Sequence, residues 1–432
     1  MDEVLTQIFL ENFMKNYHGI AVTEDFYAFF APYFLDIIAH ISDPREQDNY
    51  NLRYSLSSYL SIIILGLCQG ATSMRQIVLL SKDEAFQERA AFLFSGGKVA
   101  QSQNAFTNLV EQLDPQEFQQ RYNTMLHALS QENALQSFAV QGLRVAALDG
   151  IELHNHFYAE RHHDTTCTYC LKRIHKKGTP QEYAEYFHRT VVLTLVGQPG
   201  SIFCAQEPLQ CSQDGADKGS EKKAAKRLLQ RAAEQQVLDL IDVLVCDALY
   251  ADADFIATVQ SYGIMPVIRI KQEQYNIMKE VDELSGYISF SRAEEDYERK
   301  LSYRYRIFEH LQSWKMYKDE LCIVEIHEQL SDGKTQQARW VFPQEYATLL
   351  VPAIVREIGH LRWQEEINEF KLANQHLNIK HMLHHEPHAI QIFLFLKLFV
   401  LTFFSLFIAR FESRLQKNVF CKRPFWHYTA MV

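Results

Sequence analysis

The sequence predicts an α/β protein. A helical N-terminal region precedes a sheet with parallel members, a β-rich insertion interrupts that sheet, and a helical C-terminus closes the chain. Three observations carry this. Apolar residues recur at helical spacing through residues 1–140. Between 143 and 270, short continuous apolar runs alternate with helical stretches, as strands buried on both faces do. Between 271 and 345 the texture shifts to β-branched and aromatic residues, with Asp-Gly at 332–333 as a hairpin signal.

The elements follow in order. YLSIIILGLCQG and DPQEFQQRYNTMLHALSQ read as helices punctuated by Gly and Asp-Pro, and residues 73–113 as short helices joined by turns, one of them a candidate for lying on DNA. LRVAALDG (143–150) is an apolar strand ending in a turn signal, and RTVVLTLVG (189–197) is a second strand. A polar stretch then leads into KGSEKKAAKRLLQRAAEQQ (218–236), a basic amphipathic helix. VLVCD (243–247) is a buried strand ending in Asp, followed by the helical ALYADADFIATVQSYG and the strand MPVIRI (265–270). YISFSR, RKLSYRYRIFEH, ELCIVEIHEQL and QARWVF read as antiparallel hairpins. Helix resumes over 348–381, and a long apolar helix follows. The expected divisions are therefore 1–140, 141–270 with a polar loop at 154–188, 271–345, and 346–432.

A net charge of −10 excludes nucleic-acid binding by bulk electrostatics, so any DNA contact must come from basic residues gathered locally. KRIHKK (172–177), KKAAKR (222–227) and KNVFCKRPFWH (417–427) are such runs. Eight Cys, six of them scattered, give no secreted disulfide framework, and the N-terminus lacks the pattern of a signal peptide, so a reducing cytoplasm is expected. AIQIFLFLKLFVLTFFSLFIA (389–409) is long enough to cross a bilayer. Lys397 near its middle would cost a few kcal/mol there. A helix buried in a large core, with no membrane, is the expectation, and a membrane-anchored protein the alternative.

Asp149 and Asp247 each follow an apolar strand, where ligands of α/β sheets gather. Taken alone, each also fits a plain turn or N-cap. HLRWQEEINEFK (360–371) adds a helix on which Trp363, Ile367, Phe370, Asn374 and Leu377 form a mostly apolar stripe. Glu366 falls about 60° from the centre of that stripe, at the edge of the buried face, whereas Glu365 and Glu369 point further into water. Arg362, one turn earlier, is placed to pair with Glu366. Two strand-end aspartates and one helix-edge glutamate offer the oxygen ligands that suit two Mg²⁺ or Mn²⁺ ions.

RVAALDG, VLVCDALYADADF and IVREIGHLRWQEEINEFKLANQHLNIKH resemble, in matching order, the three carboxylate motifs of insertion-sequence transposases of the DDE, RNase H-like class. The similarity runs over roughly residues 143–400, and its most specific part is the Arg-Trp-x-x-Glu-x-x-x-Phe of Arg362, Trp363, Glu366 and Phe370. The resemblance implies an RNase H-like core with a β-rich insertion before the glutamate helix. It also implies Asp149, Asp247 and Glu366 as catalytic, metal-binding residues. The implied activity is cleavage at element ends and strand transfer into target DNA by a homodimer or higher oligomer, on the nucleoid of the cytoplasm. Arg362, Lys371, Lys222, Lys223, Lys226 and Arg227 are the candidate DNA contacts. Departures are Ala373, where a basic residue is usual, and His360, where Arg or Tyr is more usual. They raise the alternative of an inactive DNA-binding protein of the same fold.

Cys167, Cys170, His175 and His188 give a CxxC pair followed by two His, a set suited to a structural Zn²⁺, with His162 and His163 as rivals. The reduced pair on a flexible loop is the alternative. HNH (His154 to His156) suggests a nuclease motif only weakly, and HMLHHEPH (381–388) reads as a solvated turn before the apolar helix, with metal ligation as the alternative.

Overall fold

A computed structural model describes residues 23–45, 54–68, 71–84, 102–153, 167, 169–198, 200–210, 220–271, 276–297, 299–314, 316–364, 374 and 377–419. Helices α1 (Thr23–Ala39), α2 (Leu56–Cys68), α3 (Met74–Leu80), α4 (Gln103–Gln112) and α5 (Pro115–Gln131) come first. Their starts follow local chemistry. The Ser73 hydroxyl accepts the Gln76 N–H at the head of α3, and the Asp114 carboxylate accepts the Gln116 N–H before Pro115 opens α5.

The sheet begins with β1 (Val145–Leu153), β2 (Leu171–His175), β3 (Tyr183–Gly197) and β4 (Gly200–Pro208). After helix α6 (Glu221–Glu234) come β5 (Val243–Cys246), α7 (Ala253–Ser261), β6 (Met265–Arg269) and α8 (Asn276–Leu284). Then follow β7 (Glu294–Asp296), β8 (Leu301–Leu311), β9 (Leu321–Leu330), β10 (Thr335–Pro343), α9 (Pro352–Gln364) and α10 (Pro387–Val419). The strands form one ten-stranded sheet in the order β2-β3-β1-β5-β6-β10-β9-β8-β7, with β4 paired to β3. β1, β5 and β6 are mutually parallel and the other pairings are antiparallel.

Three expectations need correction. Asp149-Gly150 is not a turn: β1 runs on to Leu153, with Asp149 opposite Val192 and Gly150 opposite Val191. Within the polar stretch after RTVVLTLVG, residues 200–208 are in fact the buried strand β4, whose Glu207 is ion-paired with Arg227 and Arg231 and whose Gln206 side chain donates to Gln391 O. Strand β7 falls on Glu294–Asp296 rather than on YISFSR. The β-rich block also extends the central sheet, since β10 pairs with β6.

Alternation along the strands divides the core in two. Val145, Ala147, Val243, Val245 and Val267 pack with Trp340 and with Val355, Ile358 and Leu361 of α9. Ala146, Leu148, Leu244, Cys246 and Ile268 face the other way and join α6 and α7. Gly359 permits the close approach of α9, because a Cβ there would lie 2.6 Å from Trp340 Cζ2.

Helix α10 completes the core of the N-terminal helices. Phe399 lies 6.0 Å from Phe34 and Phe395 lies 5.5 Å from Tyr122, between ring centroids. Tyr122 Oη donates to Phe203 O at 2.7 Å and shares a hydrogen bond with Thr402 Oγ1 at 3.0 Å. Pro387–Phe407 has a mean hydropathy of 2.2 and is long enough to cross a membrane, yet 94% of its apolar window is buried inside this protein. Lys397 is buried with it and donates to Asn378 O (2.7 Å) and His381 O (2.9 Å). Burial pushes its amine down to about 7.

Candidate active site at the ends of two parallel strands

β1 and β5 pair in parallel from Val145↔Val243 to Leu148↔Cys246. The next residues on the two strands are Asp149 and Asp247, so the register brings these carboxylates to neighbouring positions, with strands about 4.8 Å apart. Both are half-buried. Asp149 Oδ1 accepts the Gly150 N–H (2.7 Å), and Asp247 Oδ1 accepts the Leu249 N–H (2.8 Å) as the cap of a short 3₁₀ turn. By the alternation of β1, Asp149 shares the face of Val145 and Ala147, the face covered by α9.

Helix α9 leads toward the third carboxylate. Glu366 and Lys371, with Phe370 and Ala373, lie outside the described residues, as does the side chain of Trp363. What is described is the anchoring of the helix that precedes them. Arg356, 5% exposed, pairs with Glu328 (2.6 Å) and Asp296 (2.9 Å), and His360 Nε2 lies 2.7 Å from Glu328 Oε1. Arg299 joins Asp296 (3.0 Å) to Glu357 (2.7 Å). Burial works to raise the Asp296 carboxyl, but hydrogen bonds from Arg299 and Arg356 outweigh it and hold the group down at about 2. His360, a departure from the usual motif, is thus part of an ionic clamp between α9 and β9. Arg362 in the last turn of α9 is also buried, at 5% exposure.

A fourth acidic residue, not singled out from the sequence, lies behind the aspartates. Glu221, in the first turn of α6, is 8% exposed, accepts a hydrogen bond from Tyr250 Oη at 3.0 Å and lies 2.7 Å from Arg189 Nη2. Burial raises its pKa, and Arg189 and Tyr250 oppose that rise. Burial and the Glu221 charge together push the Tyr250 phenol well above its ordinary value. The available signals were the Gly directly after Asp149 and the Tyr three positions after Asp247. An acid in the first turn of a basic helix otherwise reads as a plain dipole partner.

The basic face of α6 is largely matched by acids of the same chain. Lys222 pairs with Asp252 (2.8 Å), Lys226 with Asp254, and Arg227 with Glu207 (2.8 Å); Lys223 also makes an interaction.

The proposed zinc ligands are only partly brought together. Cys167 Sγ and His188 Nε2 are 3.9 Å apart, and the Cys170 N–H donates to Cys167 O. His175 sits at the far end of β2, opposite Tyr183, on which it stacks, and its Nε2 meets Glu185 at 2.5 Å. It is four register pairs from Leu171, more than about 12 Å along the strand, which separates it from the cysteine end of the set. Among the described residues no group of three or more His, Cys, Asp or Glu is gathered closely enough to hold a metal ion. His154, His156, His162 and His163 lie outside the described residues. In 381–388, His384 pairs with Glu111 at 3.2 Å.

For divalent ions of the Mg²⁺ or Mn²⁺ kind the donor chemistry fits as far as it is described. Asp149 and Asp247 offer hard carboxylate oxygens on neighbouring strands.

No curated protein matches the chain. A model of the transposase DDE domain family matches residues 202–403, a span that takes in Asp247 and Glu366 and begins after Asp149. That match agrees with the resemblance carried by the carboxylate motifs, and over residues 202–403 the chain is similar to the transposase DDE domain family.

Proposed function

We propose that this protein is an active DNA transposase with an RNase H-like core, cutting at the ends of its insertion sequence and joining them to target DNA. The observation that carries the reading is the parallel register that makes Asp149 and Asp247 neighbours. The strand order β4-β3-β1-β5-β6, with β3 antiparallel to β1 and helices α6 and α7 linking the parallel strands, supports an RNase H-like core. Asp149, Asp247 and Glu366 would hold two Mg²⁺ or Mn²⁺ ions. Such ions, when bound, stabilise the attacking and leaving oxygens of an in-line phosphoryl displacement. The protein's own residues orient the site. The ladder of β1 and β5 sets the two aspartates side by side, and the Arg356–Glu328–His360 clamp fixes the helix that leads to Glu366. Arg362, 5% exposed, would position Glu366 rather than meet DNA from an open surface. Lys222, Lys223, Lys226, Arg227 and Lys371 are the proposed phosphate contacts, in a homodimer or higher oligomer on the DNA of the cytoplasmic nucleoid.

The test is metal-dependent cutting of DNA that carries the flanks of the coding region. Asp149→Asn should abolish cleavage while folding and end binding stay near those of the wild type. Undiminished cutting by that variant refutes the assignment.

A further inference from the structure

The parallel pairing of β1 with β5 stops at Leu148↔Cys246, one residue short of both aspartates. Beyond that point a side-chain bridge crosses behind the sheet. Glu221 Oε1 accepts from Tyr250 Oη at 3.0 Å, and Tyr250 ends the short turn that Asp247 caps. Glu221 Oε2 lies 2.7 Å from Arg189 Nη2, on the strand that pairs with β1. The group also presses on the backbone next to Asp149. A Cβ at Gly150 would lie 2.6 Å from Glu221 Oε2 and 2.7 Å from Arg189 Nε, so only glycine admits the pair. Tyr250 is fully buried and Glu221 nearly so. A charge held this far out of water stays only where partners fix it well, and its removal leaves those partners unmatched.

We propose that Glu221 is a positioning residue for the transposase reaction, setting the separation of Asp149 and Asp247. One carboxylate oxygen holds the Asp247 turn through Tyr250, and the other holds the Asp149 strand through Arg189 and Gly150. Gly150 faces opposite to Asp149 on β1, so Glu221 supports the metal-facing side from behind and does not ligate. The inference rests on the reading of Asp149 and Asp247 as metal ligands.

The experiment measures Mn²⁺ binding by calorimetry, alongside the Mn²⁺ dependence of DNA cutting and the thermal midpoint, for the wild type, Asp149→Asn, Glu221→Ala and Glu221→Gln. Glu221→Ala should weaken Mn²⁺ binding by about ten- to a hundredfold, as loss of a group that orients metal ligands does. Glu221→Gln keeps an acceptor for Tyr250 but loses the charge facing Arg189, and should fall between. A glutamate serving stability alone would lower the thermal midpoint and leave the Mn²⁺ affinity of the folded protein unchanged; that result overturns the inference. If Glu221→Ala does not fold, Tyr250→Phe removes the donor alone: weakened Mn²⁺ binding supports the proposal, and unchanged binding refutes it. Failure of the wild type to bind Mn²⁺, with Asp149→Asn cutting as well as the wild type, overturns the underlying metal-site reading. Wild-type binding matched by both Glu221 variants overturns this inference only.

Discussion

Replacing Lys397 by Met tests whether a buried amine ties the chain after the glutamate segment to the core. Lys397 is 1% exposed, and its Nζ donates to the carbonyls of Asn378 and His381, just beyond the end of that segment. Asn378 itself adopts a left-handed conformation, φ 46°. Burial lowers the Lys397 pKa from 10.5 to about 7, a difference of 10.5 − 7 = 3.5. At 1.36 kcal/mol for each unit, the charged amine costs the folded state on the order of 5 kcal/mol. The two carbonyl acceptors also bond the neutral amine, at roughly 0.5–1.5 kcal/mol each. The sign follows from proton counts. Between about 7 and 10.5 the unfolded chain holds a proton that the native state has released, so stability rises with pH across that window. Below it the full cost is present. Lys397→Met should therefore be neutral to stabilising at pH 6, where relief of the cost outweighs two lost hydrogen bonds. It should become progressively more destabilising toward pH 10, with a slope approaching about 1.4 kcal/mol per pH unit. Urea unfolding of both proteins at pH 6, 7, 8, 9 and 10 gives the difference curve. A curve flat across that range refutes the reasoning, because it means the amine titrates alike in both states.

Two further outcomes follow from the same packing. Gly359→Ala brings a Cβ to 2.6 Å from the Trp340 ring, itself 3% exposed. Overpacking at about 1–3 kcal/mol should outweigh the roughly 1 kcal/mol improvement in helix propensity, and a urea midpoint equal to or above the wild type's contradicts this. The double variant Asp252→Asn, Asp254→Asn releases Lys222 and Lys226 from their ion pairs while an amide still caps α7. DNA binding should tighten at low salt, and its log–log salt dependence should steepen by about 0.9 for each additional phosphate neutralised. Equal slopes in filter binding would remove these lysines from the DNA-contacting face.

The apolar strands were legible because burial on both faces leaves no polar positions. VAAL and VLVC are uninterrupted runs, and their register gave the aspartate pair its place. GSIFCAQEP was not legible, since Gln206 and Glu207 look solvated until their partners are seen: Gln391 on α10, and Arg227 and Arg231 on α6. Those partners are distant in sequence, so no local pattern announces them. Asp149-Gly150 looked like a turn because the dipeptide has the same chemistry in both settings. Here its glycine serves close approach by Glu221, a contact set by tertiary packing. Spacing alone groups His175 with the cysteines. The extended course of β2 carries it away from them, where a compact loop would have kept it near.

The placement of α10 constrains how the chain reaches its native state. Tyr122 and Thr402, bonded to each other in the interior, are 280 positions apart. The aromatic cluster around Phe34 and Tyr122 is joined by Phe395, Phe399 and Phe403 only when α10 arrives. Contacts of such range are slow to form, and at a synthesis rate of roughly 5–20 residues per second the early helices wait many seconds on the ribosome with an apolar flank uncovered. The first helices therefore keep that flank uncovered until the segment from residue 387 onward emerges, and premature termination before α10 would leave a product without the interior that its first helices need.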